Sequence, residues 1–435
     1  MKLLFIDLPF LDMKNNDLNL GLRYLLGYLD QNDIAYDLLD FKGTDYLEKY
    51  RKIVYFTSTK AYQSYREDIE RRESFKQTVH EFIPYIQTFD VVAFSIFFEL
   101  NKVHFDEMYE TLKPHLKPNQ KVVIGGNYLR HYDHHLQFKD FDGDVVVGPG
   151  EPYFQKMFGL PDFDLYSYNH SPCTNPYAVP IIGSHGCVNK CVFCTHRRID
   201  MWHRKPEYIV KEIAHFYTKY HKTRFTIKTD NMLNDYEKHN DLMEKLSLLN
   251  RTILRSKLKW STSFSLSRYK DFVEKVDINK IREAGCDTLL IGVESYNENV
   301  RKSLNKPRFD MDDIENFYKL FRDNGIKVCQ NLMIGYISET DDDFDKSVEM
   351  TKYIMDRYSD VVVYTDIWTY IINSEYNYRG YEKELYFRED GHWVYRDNTH
   401  EKRMHRKDVM LSLMSNYGEK HCMIVGQDNS GIIMV

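Results

Sequence analysis

Gly186-Cys187-Val188-Asn189-Lys190-Cys191-Val192-Phe193-Cys194 sets three cysteines within eight residues, at the spacing C-x3-C-x2-C. Thiolates this close can wrap one metal centre from a single loop. Soft ligands of this kind suit zinc with a fourth donor, or an iron–sulfur cluster. His185 and His196 flank the cysteines and could complete a Cys3His zinc site. Three thiolates on a loop after a strand fit better a 4Fe–4S cluster with one iron left open. That open iron can bind a chelating ligand and pass it an electron, whereas a structural cluster normally takes four protein ligands.

Working outward, the apolar run Tyr177–Ile182 reads as a strand that feeds the cysteine loop. Downstream, Glu207–His221 has Pro206 at its start and Ile209, Ile213, Phe216 and Tyr220 on one helical face. Arg224–Lys228, Lys257–Phe264, Thr288–Val293, Ile326–Ile334 and Val361–Trp368 read as five more strands separated by helical patterns. One of those helices opens with Thr340 and Asp343 at capping-box spacing. Six tandem β/α units predict a barrel or partial barrel. Upstream, Lys2–Leu8, Ile34–Phe41, Val91–Phe98, Lys121–Ile124 and Asp144–Val147 are short apolar runs between helical stretches. They predict a parallel sheet covered on both faces. Two of these strands end in glycine turns, Gly125-Gly126-Asn127 and Gly148-Pro149-Gly150-Glu151, where backbone can approach a ligand at the carboxyl ends of a sheet. Neither fits the dinucleotide fingerprint. The proline-bearing stretch 151–178 reads as a linker, so we expect domains at 1–170 and 171–370 and an aromatic extension at 371–435.

The chain has 435 residues, 43% of them hydrophobic and 29% charged, an ordinary globular mix that excludes disorder and collagen-like repeats. The net charge of -6 gives no global pull toward nucleic acid. The longest apolar stretch, Val91–Phe98, is far below the ~18–20 residues of a membrane span. Asp7 and Pro9 interrupt the N-terminal run before a signal-peptide core forms, and we expect a cytoplasmic protein. Seven cysteines, an odd number, argue against a disulfide framework. Cys173, Cys286, Cys329 and Cys422 show no second cluster spacing and read as small packed hydrophobes.

The cysteine spacing, with Phe193 as the aromatic before the third cysteine, resembles the signature of the radical S-adenosylmethionine (SAM) enzymes. Gly292-Val293-Glu294-Ser295 resembles the family's G-x-E-S turn. Gly335-Tyr336-Ile337-Ser338-Glu339-Thr340 resembles its G-x-P-x-E-T turn, with Ile337 in place of proline. The resemblance implies a 4Fe–4S cluster on Cys187, Cys191 and Cys194. It also implies SAM contacts from Phe193, Asp230, Ser263, Ser265, Glu294 and Asn331. The implied reaction is reductive cleavage of SAM to a 5′-deoxyadenosyl radical, fed by an external electron donor. A sheet domain ahead of the barrel resembles the cobalamin-binding subclass, many of whose members methylate unactivated carbons. The expected fold is then α/β: a Rossmann-like parallel sheet of cobalamin-binding type, followed by a partial (β/α)6 barrel. Ser95, Gly125, Gly126, Asn127, Gly148, Gly150 and Glu151 are the implied cobalamin contacts. The D-x-H-x-x-G motif of other cobalamin proteins is absent. Alternatives are a cobalamin-independent radical SAM enzyme and a non-catalytic zinc or iron–sulfur protein. The expected substrate is a small molecule or peptide, and Arg197, Arg198 and Arg204 could receive an anionic one or form a solvated loop. The aromatics of 371–435, among them Tyr376, Tyr378, Tyr381, Tyr386, Phe387, Trp393 and Tyr395, read as a packed hairpin or a lid.

Overall fold

The computed structural model describes residues 1–8, 19–41, 69–97, 99–130, 134–160, 178–194, 196, 199–370, 380–389, 392–417 and 422–423. Cys173, Arg197, Arg198, Tyr376 and Tyr378 lie outside this set. The described residues form two compact units, one ending at 160 and the other starting at 178.

In the first unit, strands β1 (Leu3–Asp7), β2 (Tyr36–Asp40), β3 (Val91–Ser95), β4 (Lys121–Gly125) and β5 (Asp144–Val145) pair in parallel, in the order β2-β1-β3-β4-β5. Side chains alternate across the sheet because successive Cβ atoms point to opposite faces. Leu4, Ile6, Val92 and Phe94 pack toward Phe75 and Val79 of α2 (Ile69–Ile86) and Phe105 and Met108 of α3 (Glu99–Leu112). Leu3, Phe5, Val91 and Ala93 pack toward Leu22, Leu26 and Leu29 of α1 (Leu20–Gln31) and Phe154 of α4 (Glu151–Phe158). The sheet is thus doubly wound. The chain reverses its direction of growth between β1 and β3, and that switch point opens a crevice at the carboxyl ends of the strands.

The second unit is built on six sequential parallel strands: β6 (Val179–Ile182), β9 (Arg224–Lys228), β10 (Lys259–Phe264), β11 (Cys286–Glu294), β12 (Lys327–Ile334) and β13 (Val362–Thr369). β16 (Cys422–Met423) adds two residues beside β13. Between β6 and β9, the two-residue strands β7 (Ser184–His185) and β8 (Trp202–His203) form a small antiparallel pair around the cysteine loop. Helices α5 (Pro206–Tyr220), α6 (Tyr236–Thr252), α7 (Tyr269–Lys275), α8 (Ile278–Glu283), α9 (Glu298–Ser303), α10 (Met311–Asp323) and α11 (Asp341–Tyr358) connect the strands. Pro206 opens α5, and Ile209, Ile213 and Phe216 form its buried face. Thr340 and Asp343 make the expected capping box at the start of α11. A hairpin of β14 (Leu385–Phe387) and β15 (Trp393–Tyr395), then α12 (His400–Ser415), complete this unit. No described helix is long and apolar enough to cross a membrane.

Strand ends differ from the sequence reading where turns claim residues. Asn32 caps α1 and Asp33 adopts φ +54°, so the second strand starts at Tyr36 rather than Ile34. Gly126 packs its backbone against that of Ile96, and β3 ends at Ser95.

Candidate active site

The cysteine loop leaves the carboxyl end of β6 and is tied down from two directions. After β9, Asp230 accepts a hydrogen bond from the Gly186 amide (2.6 Å) and pairs with His196 Nδ1 (2.8 Å). Asn234 donates to the Gly186 carbonyl (2.8 Å) and accepts from the Val188 amide (3.1 Å). Asn231 donates to Asn234 (3.1 Å) and accepts from the Ser265 amide at the end of β10 (3.0 Å), linking three strand ends. On the other side, Asn305 donates to the Lys190 carbonyl (2.9 Å) and the Val192 amide donates to Leu304 (3.1 Å). Gly186 sits at φ +79°, and a Cβ there would stand 2.8 Å from the carbonyls of Ile199 and Asp200. The loop can close only with glycine at that position.

Cys187 and Cys191 are buried and Cys194 is partly so. Burial pushes all three thiols up, Cys194 to about 12, and the neighbouring sulfurs add to the effect on Cys191 and Cys194. Coordination reverses such a shift, because a metal-bound thiol is deprotonated outright. Three soft donors that sense one another's charge on one loop are a donor set suited to iron–sulfur binding. Among the described residues no three His, Cys, Asp or Glu side chains form a ready cage for a single ion. The two histidines that could complete a zinc site have other neighbours: His196 faces Asp230, and His185 stacks on Trp202 with ring centroids 5.9 Å apart.

Beside the thiols lies a buried ion pair. Glu294 ends β11 with φ +62°, a left-handed conformation uncommon for a residue with a side chain. The ladder with β12 slips between Gly292 and Glu294, and the bulge turns the carboxylate back over Gly292. There Lys306 Nζ meets Glu294 Oε1 at 3.1 Å, with both side chains less than a tenth exposed. Burial pulls the Lys306 ammonium down, but the Glu294 carboxylate and the Cys191 and Cys194 sulfurs outweigh it, and its pKa is raised. The ammonium also lies 5.9 Å from the Phe193 ring centre. Arg301 braces this turn by donating to the carbonyls of Ser295 and Phe309, both at 2.7 Å. Lys306 carried no sequence signal, since only the return of the chain after α9 brings it to Glu294.

The remaining expected SAM contacts share the inward face of the barrel. Phe264 stacks on Phe272 of α7 and meets Phe321 of α10, so Ser263 and Ser265 point the other way, inward. Gln330 faces the helices, bonded to Tyr318 (2.6 Å), so Asn331 faces inward, paired in register with Gly292. Asp230 is committed to Gly186 and His196, which hold its carboxyl below the usual range despite burial. It positions the cysteine loop. Phe193 and Val192 pack against a cluster that includes Tyr336, Tyr370, Tyr381, Trp393 and Tyr395. Tyr386 and Phe387 remain more than half exposed, so only part of the expected aromatic hairpin packs. Arg204 is neither a solvated basic residue nor an anion receptor. It is buried in an ion pair with Glu212 at 2.5 Å. Cys286 is buried as expected, while Cys329 is partly open on the inward face of β12.

In the first unit, Ser95 and Gly125 are register partners at the carboxyl ends of β3 and β4, and Asn127 follows them. Gly126, at φ +112°, is required by the backbone of Ile96, which a Cβ would strike. Gly148, at φ +111°, has open space where a Cβ would be. Gly150 leaves room for Leu25 of α1, 2.9 Å from an added Cβ. Glu151 is 2% exposed, and burial pushes its carboxyl up to about 7.

The radical SAM superfamily model matches residues 181–351. Bacteriochlorophyllide d C-12(1)-methyltransferase of Chlorobaculum tepidum is 25% identical over 199 residues, 44% of this chain and 40% of that protein. The chain therefore spans well under two thirds of that relative's length. Ribosomal protein uS12 methylthiotransferase RimO of Dictyoglomus thermophilum is 24% identical over 322 residues, 67% of this chain and 71% of that protein. Among solved structures, the radical SAM methyltransferase TsrM of Kitasatospora setae, with cobalamin and a 4Fe–4S cluster bound, aligns with a TM-score of 0.69. That alignment is at 12% identity and covers 98% of this chain and 93% of that one. At that identity the likeness is one of fold.

Proposed function

We propose that this chain, which carries a radical SAM domain over residues 181–351, is a cobalamin-dependent radical SAM enzyme that methylates an unactivated carbon. The substrate class is a small molecule or peptide, and reduction comes from an external electron donor. One observation carries the reading: a C-x3-C-x2-C loop is seated at the mouth of a six-strand parallel barrel, beside a buried Glu294–Lys306 pair. When bound, the cluster supplies the electron that cleaves SAM and cobalamin supplies a carrier for the methyl group.

Cys187, Cys191 and Cys194 would hold three irons of the cluster. Phe193 offers an aromatic face, and Ser263, Ser265 and Asn331 offer hydrogen-bonding groups on the inward wall. Glu294 keeps one carboxylate oxygen beyond its bond to Lys306 for a cationic or hydroxyl group of SAM. Lys306 balances negative charge beside the thiolates. The aromatic cluster over Val192 and Phe193 excludes water from reactive species. In the first unit, Ser95, Gly125, Gly126, Asn127 and the turn Gly148–Glu151 are the residues that would face cobalamin.

Anaerobic reconstitution with iron and sulfide, then reduction with SAM, tests the radical step. The enzyme reading fails if no 5′-deoxyadenosine forms, or if Cys191→Ala forms as much as wild type. Cobalamin titration followed by visible absorption tests the methyl carrier. Saturable binding supports it, and its absence leaves a cobalamin-independent radical SAM enzyme.

A further inference from the structure

Lys228 closes β9, and the alternation of that strand fixes its direction. Phe225 and Ile227 are fully buried on the helix side, while Thr226 and Lys228 are partly open on the other. That other side is the barrel interior, because Thr226 lies 3.3 Å from Ser261, on the same face of β10 as Ser263. Ile227 pairs with Thr262, so the next position sets Lys228 beside Ser263. Ile182 is its partner on β6, and Ser263 continues through Leu290 to Cys329. Cys329 pairs in turn with Tyr364 of β13, so this layer sets the Lys228 cation among a hydroxyl, a thiol, two alkyl side chains and a tyrosine position.

No described acidic side chain pairs with Lys228. Asp230, two residues on, is engaged by Gly186 and His196. Loss of water alone pulls the Lys228 amine down to about 8. An ammonium partly withdrawn from water with no described counter-charge carries a cost, and an entering anion offsets it. Of the expected SAM contacts, Ser263 shares the layer of Lys228, and Asn331 lies one layer nearer the carboxyl ends, in register with Gly292. The cation lies beside Ser263 and below Asn331.

We propose that Lys228 is the point at which the barrel interior recognises a carboxylate on the substrate, the salt bridge being completed only when that substrate enters. This rests on reading the barrel as a radical SAM site, and it narrows the substrate class to carboxylic acids small enough to enter the barrel.

The test is reductive methylation of the reconstituted, full-length protein with formaldehyde and cyanoborohydride, mapped by peptide mass spectrometry. Acetate is the probe and acetamide its neutral control. Methylation at Lys228 is expected to slow several-fold with saturating acetate, with or without SAM, and not with acetamide or SAM alone. Equal rates with acetate and acetamide overturn the proposal, as does full protection by SAM alone, which would assign the cation to the cofactor's own carboxylate. Formation of 5′-deoxyadenosine is measured on the same preparation. Its absence sinks the radical SAM reading whatever Lys228 does.

Discussion

Gly292 shows how a single residue can be set by chemistry two positions away. An added Cβ would run into the Glu294 carboxylate and stand 2.9 Å from Lys306 Nζ. Gly292→Ala is therefore expected to push the flexible ends of Glu294 and Lys306 aside and weaken the buried pair, whose full separation would cost about 3 kcal/mol or more. Formation of 5′-deoxyadenosine should fall by about tenfold or more, the equivalent of at least ~1.4 kcal/mol in the barrier. A normal rate in an iron-loaded Gly292→Ala protein would show that the pair is dispensable. Lys228 gives a pH prediction of the opposite kind. Its folded value is depressed to about 8, below the ordinary lysine value of about 10.4. The unfolded chain then holds more protons between those values, so stability rises with pH across that window, and below pH 8 the full penalty is present. The wild-type urea midpoint should rise relative to that of Lys228→Met from about pH 8 to 10. Parallel curves would mean an ordinary amine.

At the scale of elements, the cysteine loop is positioned by its neighbours more than by its own residues. The segment after β9 grips Gly186 and Val188 through Asp230 and Asn234, and the segment after α9 grips Lys190 and Val192. Asn234→Ala removes two of these bonds, each worth about 1 kcal/mol net. The urea midpoint should fall modestly, in line with the two lost bonds, and iron content after reconstitution should fall as well. Full iron loading would show that the remaining ties suffice. Asp230 was expected as a SAM contact from the family resemblance, but its role in holding the cysteine loop was not legible. A carboxylate after the second barrel strand reads from sequence as a ligand contact, and in space its oxygen already serves Gly186 and His196. The two-residue strands β7 and β8 had no pattern to be read, since alternation needs more than two positions.

For the whole molecule, the proposed function joins two separately built units, and a variant in one should leave the chemistry of the other intact. Gly125 has only ordinary contacts around an added Cβ, 3.8 Å from Val146, so the position accepts a side chain without a backbone clash, and Gly125→Phe adds bulk at the carboxyl end of β4. It is expected to abolish saturable cobalamin binding and to retain wild-type iron content and SAM cleavage. Unchanged cobalamin binding would remove this edge from the cofactor site.

The alternation of strands and helices, the six tandem β/α units and the cysteine loop were legible in the sequence alone. Hydrophobic period and cysteine spacing are local properties, written within a few residues of one another. Only the tertiary structure decided what charged groups do, because an ion pair depends on which distant residues converge and how much water they exclude. Arg204 with Glu212, Lys306 with Glu294, and Lys228 with no described acidic partner look alike as letters in a chain. Burial and geometry make the first a packing element, the second a neighbour of the thiols, and the third a cation awaiting a counter-charge.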